Sequence, residues 1–153
     1  MKISFKNDYA EGAHPMILEA LMRTNAVQQA GYGNDSYSAA AKEFIKNKIE
    51  NPEAQIFFVS GGTQANMLVI GTLLRTYQSV IAPETGHIAD NETGAIEAVG
   101  HKIHLAPATN GKITPESIAD FATRYTNYPH QVQPRLVYIT NATEIGTIYT
   151  LAE

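Results

Sequence analysis

The chain contains no cysteine and no tryptophan, and only 17% of its residues are charged. Without cysteine there are no disulfides, no thiolate metal sites and no thiol nucleophile, a composition that fits a reducing compartment. The net charge is −4 and no basic block occurs, which argues against a phosphate-neutralising face for nucleic acid. No secretory h-region opens the chain. The longest apolar stretch, residues 65–74, is well short of the roughly 20 residues a membrane span needs and carries Asn66 just inside. The expectation is a cytoplasmic protein with neither a membrane nor a nucleic-acid partner. At 153 residues and 44% hydrophobic content the chain is long enough and apolar enough to bury a core.

Strand and helix signals alternate along it. Pro15 suits the first turn of a helix to about Arg23, with Ile17, Leu18, Leu21 and Met22 at helical spacing. A glycine loop holds Tyr32, Gly33, Asn34 and Asp35, after which Ser36 or Ser38 is placed to cap a helix over about residues 39–50. Residues 56–59 read as a buried strand. Residues 64–77 read as a helix that is apolar nearly all round and so expected to be buried. Further strands are expected at 79–82, 102–105 and 136–140, and further helices at about 90–99 and 115–125, the last capped by Thr114. Such a repeat argues an α/β fold, a mostly parallel sheet flanked by helices. Residues 1–52 read as an N-terminal helical segment and 53–153 as strand–helix repeats. Thr150 reads as the start of one more helix, so the chain is expected to be part of a larger domain.

Two short stretches point to chemistry. Gly61, Gly62 and Thr63 lie between an apolar run and a helix start. There, first-turn N–H groups and the helix dipole favour an anion, glycines admit it closely and the Thr63 hydroxyl adds a donor. A plain tight turn is the competing reading. Neither the Lys-Ser/Thr ending of a P-loop nor the spacing of a dinucleotide fingerprint is present. Gly86 and His87 follow the next strand signal. His87 is either a structural hydrogen-bonder or an imidazole for stacking on a flat ring, with Glu84, Asp90 and Glu92 near enough in sequence to orient it or simply be solvated. His101 and His104, three apart on a strand, point to opposite faces, and no metal site is expected.

The motifs occur in a telling order. They run Phe5-x-Asn7-Asp8, then Gly12-Ala13-His14-Pro15, then Tyr32-Gly33-x-Asp35. Phe58-Val59-Ser60-Gly61-Gly62-Thr63-Gln64-Ala65-Asn66 follows, and then Thr85-Gly86-His87-Ile88. Glu92-Thr93-Gly94-Ala95-Ile96-Glu97, Gly100-His101-Lys102 and Thr143-Glu144-x-Gly146-Thr147-x-Tyr149 complete the set. In this the chain resembles the N-terminal part of the threonine aldolase and β-eliminating lyase family of pyridoxal 5'-phosphate (PLP) enzymes.

The resemblance implies the large domain of the aminotransferase-like fold, called fold type I. It implies PLP as cofactor, with Gly61, Gly62 and Thr63 at the phosphate and His87 stacked on the pyridine ring and taking part in catalysis. It puts Asn7, where the family often has Ser, near the substrate carboxylate, and Tyr32 and Asp35 near the active site or a subunit interface. A small amino-acid substrate, retro-aldol cleavage of L-threonine or L-allo-threonine, and a homodimer or homotetramer follow in the same way. The family's PLP-bonding Lys, its pyridine-pairing Asp and a substrate-binding Arg have no counterpart in the chain, so the chain by itself is expected to be inactive. Other PLP-dependent elimination or aminotransfer, and a non-catalytic module binding a phosphorylated ligand, are the alternatives.

Overall fold

The computed structural model describes Ser4 and residues 11–153; Asn7, Asp8 and Phe5 lie outside the described residues. The chain divides into two compact units, Met1–Phe58 and Val59–Glu153. In the first, helix α1 (Pro15–Thr24) starts with proline at its first turn, where the missing N–H costs nothing, and His14 Nδ1 accepts from Met16 N at 3.3 Å. Helix α2 (Ser36–Lys48) begins earlier than its sequence signal. Its cap is Asp35, not Ser36 or Ser38. The Asp35 carboxylate accepts from Ser38 N at 2.7 Å and from Ser38 Oγ at 2.6 Å, and these bonds hold its pKa below the ordinary value. An ionised carboxylate accepts both donors, so it outcompetes a serine hydroxyl for the cap.

The second unit carries α3 (Gly62–Leu73), β1 (Gln78–Pro83), α4 (His87–Asp90), α5 (Ala95–Ala98), β2 (Ile103–Ala106), α6 (Pro115–Arg124) and β3 (Gln133–Val137). The described strands form one parallel sheet in the order β2-β1-β3. β1 is the middle strand and is buried on both faces, which is why Val80–Pro83 is an unbroken apolar run instead of an alternation. Val80 and Ala82 point into a cluster with Ile70, Leu74, Ile88 and Ile96. Ile81 points the other way, into a cluster with Ala106, Ile113 and Phe121. Two helical layers thus grip one strand. β3 tolerates Pro134 because it borders the described sheet, and the ladder slips in register beside that proline.

Three expectations are corrected. Residues 56–59 form no strand: they have no ladder partner among the described residues, and Phe57 and Phe58 are 76% and 53% exposed. An apolar run becomes a strand only where another strand meets its N–H and C=O groups. α3 ends at Leu73 and is only partly buried, with Ile70 at 2% but Leu68, Val69 and Leu73 at least half exposed. The single helix expected at 90–99 is broken into α4 and α5, because Thr93 (φ 55°) and Gly94 (φ 76°) turn the backbone left-handed between them. Thr150 carries the bonds of the helix start expected of it. Its N–H and hydroxyl bind Glu153 Oε2 at 2.8 and 2.9 Å, while Glu153 N returns a bond to Thr150 Oγ1 at 3.3 Å. Thr150 and Glu153 thus make the reciprocal bonds of a capping box. Bonds from Lys112 first, then Thr150, hold the Glu153 carboxyl down to about 2.

The C-terminal stretch is pinned by hydroxyls. Thr143 Oγ1 and Thr147 Oγ1 are 2.7 Å apart, Thr147 Oγ1 donates to Asn110 O at 2.7 Å, and Ile113 N donates to Tyr149 Oη at 3.0 Å. Gly111 (φ 74°) sits beneath; a Cβ there would lie 3.0 Å from Thr143 Oγ1.

His104 reaches the Ile81 side of the sheet and packs 4.2 Å from the Tyr125 ring, centroid to centroid, with no partner for Nε2 among the described residues. Burial first, then the Lys102 charge, push this imidazole below its ordinary value of 6.5. The unfolded chain therefore takes up the proton before the folded one, so the stability His104 contributes is complete above pH 6.5 and is lost as pH falls through the lower, folded value. Urea midpoints are expected to fall between about pH 7 and about pH 5, and to fall less steeply in His104→Leu. Ile96 is fully buried; Ile96→Ala is expected to cost about 2–5 kcal/mol in the same experiment at neutral pH.

Candidate active site

The end of β1 carries the chain directly into the site. Pro83 leaves the sheet, Gly86 N donates to Pro83 O at 2.8 Å, and α4 opens at His87. The turn requires glycine because a Cβ on Gly86 would lie 2.9 Å from Pro83 O. It sets His87 just beyond the carboxyl end of the central strand, where open parallel sheets collect ligands.

His87 is held from one side. Its Nδ1 lies 2.9 Å from Glu92 Oε1, and the imidazole side chain is 40% exposed while that of Glu92 is 0% exposed. The same oxygen accepts from Asn66 Nδ2 at 2.6 Å. Glu92 Oε2 is buried with no partner among the described residues. Tyr138, just past β3, packs against the cluster on the α3 side of the sheet. Burial first, then the Glu92 charge, raise its phenol above the ordinary value of 10, with the adjacent Asn66 opposing. The site is thus a buried carboxylate joining α3 to α4, with the Tyr138 phenol close enough to feel its charge.

Asn66 lies one turn into α3, and that helix begins with the other predicted stretch. Gly61 is its N-cap and supplies no side chain for capping. Gln64 turns back instead, its Oε1 accepting from Ser60 N at 2.7 Å and from Ser60 Oγ at 2.9 Å. The N–H groups of Gly62, Thr63 and Gln64 meet no acceptor among the described residues. A Cβ built on Gly61 or Gly62 would touch nothing within 4 Å. Gly61 is in extended backbone (φ 176°) that any residue adopts, so what glycine gives here is an open approach. Bare first-turn amides with an open approach suit a phosphate or carboxylate.

The residues expected from sequence therefore separate. Gly61, Gly62, Thr63 and His87 are tied together through Asn66 and Glu92 within one unit. Tyr32 (φ 61°) and Asp35 stand in the other, Tyr32 fully exposed and Asp35 engaged as the α2 cap. Asn7 falls outside the described residues. Glu84 Oε1 accepts from Ala108 N at 3.5 Å instead of meeting His87. Asn66 was not singled out by composition or spacing. The available signal was an amide in an apolar helix, four residues before the buried Ile70 and hence on its face.

Fold and site define an α/β domain with a parallel sheet, an anion-ready helix end and a carboxylate-held imidazole at a strand terminus. Residues 7–153 match the model of the beta-eliminating lyase family, and the chain belongs to that family. A low specificity L-threonine aldolase of Pseudomonas aeruginosa is 37% identical over 147 residues, covering 95% of this chain and 42% of that protein. Another, from a Pseudomonas species (strain NCIMB 10558), is 35% identical over the same share of each. The solved structure of Leishmania major threonine aldolase superposes with a TM-score of 0.90 at 46% identity, over 97% of this chain and 43% of that one. The chain thus spans less than half the length of these relatives.

Gly86→Ala is expected to push the Pro83–His87 turn apart and to destabilise the protein by about 1–3 kcal/mol, read as a lowered urea midpoint.

Proposed function

We propose that this chain forms the cofactor-facing part of a PLP-dependent lyase that splits L-threonine or L-allo-threonine into glycine and acetaldehyde. Family membership and the threonine aldolase relatives support the reading. The observation that carries it is the hydrogen-bonded link from the bare first turn of α3, through Asn66 and Glu92, to His87. Gly61, Gly62 and Thr63 bind the cofactor's phosphate through first-turn N–H groups, with the Thr63 hydroxyl as a further donor. His87 lays its half-exposed ring against the cofactor's ring. PLP, when bound, supplies the electron sink for the pair released as the substrate's Cα–Cβ bond opens.

His87 then acts as the base that receives the β-hydroxyl proton. The oxygen keeps its electron pair and becomes the aldehyde carbonyl, and a proton returned to Cα balances the cleavage. Asn7, Tyr32 and Asp35 are assigned to the substrate side, Asp35 from its place at the end of the glycine loop, where it caps α2. The working protein is a cytoplasmic homodimer or homotetramer.

The test is glycine and acetaldehyde release from both threonine isomers by the native protein carrying this chain, with and without PLP. Cleavage that depends on PLP, together with bound-cofactor absorbance, is expected; neither appearing removes the reading. His87→Ala is expected to lower kcat by about 10²–10⁴-fold, and an unchanged kcat would take His87 out of the chemistry.

A further inference from the structure

The buried carboxylate at the centre of the site does more than a structural role asks of it. Asn66 and His87 need one acceptor, and both use the same oxygen, Glu92 Oε1, at 2.6 and 2.9 Å. A glutamine carbonyl would satisfy both donors at no cost in buried charge. The glutamate instead leaves Oε2 buried and unpartnered among the described residues, with its side chain wholly enclosed. A buried carboxylate is costly unless a positive charge forms beside it. His87 is the neighbour able to supply one, since the imidazole touching Oε1 gains a full charge when its other nitrogen takes a proton.

We propose that Glu92 is a positioning residue that fixes His87 as the Nδ1–H tautomer, leaving the Nε2 lone pair free to accept a proton. An ionised carboxylate can only accept, so Nδ1 must be the donor across the 2.9 Å contact. The neutral ring has one proton to place, and Nε2 is left bare on the side of the ring away from the enclosed carboxylate. When Nε2 takes a proton, the resulting imidazolium rests on a carboxylate already in hydrogen-bond contact, so no group has to move. Asn66, donating to the same oxygen from one turn into α3, fixes the carboxylate's rotamer. A buried acid holding the far nitrogen of a catalytic imidazole serves the same purpose in serine hydrolases. The inference deepens the role given to His87 above and rests on that reading for its meaning in catalysis, while the tautomer stands by itself.

The test is ring-nitrogen NMR of histidine-labelled protein without cofactor at about pH 8, above the ordinary imidazole range. The His87 signals are assigned by their loss in His87→Gln. The expected result is a protonated Nδ1 and an unprotonated Nε2 in the wild type, and a shift toward the Nε2–H form, which free imidazole side chains prefer, in Glu92→Leu. Should Glu92→Leu fail to fold, Glu92→Gln keeps the volume and is expected to give a mixture of the two forms. A wild-type ring protonated at Nε2, or a tautomer unmoved in the Glu92 variant, overturns the proposal. In the active protein Glu92→Gln is expected to lower kcat by about 10–100-fold with KM nearly unchanged, and an equal loss in KM alone overturns it. Because the tautomer is read without substrate or PLP, a failed threonine assay leaves this result standing, and a wrong tautomer leaves any glycine release standing.

Discussion

The site depends on one enclosed charge. Glu92 links α3 to α4, its Oε1 accepting from Asn66 Nδ2 at 2.6 Å and lying 2.9 Å from His87 Nδ1. Remove that oxygen and two donors lose their acceptor together, a cost of the size of an unpaired buried polar group for each. The Glu92 side chain is wholly enclosed, so water offers little compensation. The cluster is therefore a clamp: the apolar contacts bring three segments together, and the carboxylate decides how their polar groups face. A clamp of this kind is rigid in the direction that matters, since the imidazole can turn only by breaking a 2.9 Å contact to a group that cannot itself move into water.

The sheet supplies the platform. β1 is buried on both faces by different clusters, which leaves its carboxyl end as the place where the chain must escape the core. The escape is short because Gly86 permits the backbone to approach Pro83 O closely. His87 therefore inherits its position from the most buried strand of the unit, not from a loop. The opposite face, with Phe121, Tyr125 and His104, contributes stability and pH sensitivity but no donor to the site. Likewise the Thr143, Thr147 and Tyr149 motif, which belongs to the family resemblance, is spent here on pinning the C-terminal stretch to the turn at Thr109 and Lys112.

Much of this was legible in the residues, and the failures share a cause. β1 and α6 could be read because their signals are local: the apolar run at Val80–Pro83, and a threonine cap with proline behind it. β3 was placed three residues late, at 136–140 instead of Gln133–Val137, and Pro134 is acceptable within it because the strand borders the described sheet. Residues 56–59 and the apolar circumference of α3 were misread because strand character and burial are properties of partners, and periodicity within one segment does not contain the partner. The same holds at the site. His87 and the glycines were visible as motifs, but Glu92 was one acid of three in a short stretch. Nothing in the one-dimensional pattern separates the buried member from Glu84 and Asp90; the difference is the short α4 turn, closed by Asn91 N on His87 O, after which Glu92 reaches back to His87 and across to Asn66.

One helix joins the two halves of the candidate site. From Gly62 at the first turn to Asn66 the α3 axis rises about 6 Å at 1.5 Å per residue. The bare amides and the side chain that holds the Glu92 carboxylate therefore stand one turn apart on a single rigid element. The helix dipole favours an anion at its start, and the contact that orients His87 begins one turn further along. A bend in the first turn of α3 would shift Asn66 with it and so disturb Glu92 and His87, a coupling that a flexible glycine loop in place of that turn would lose.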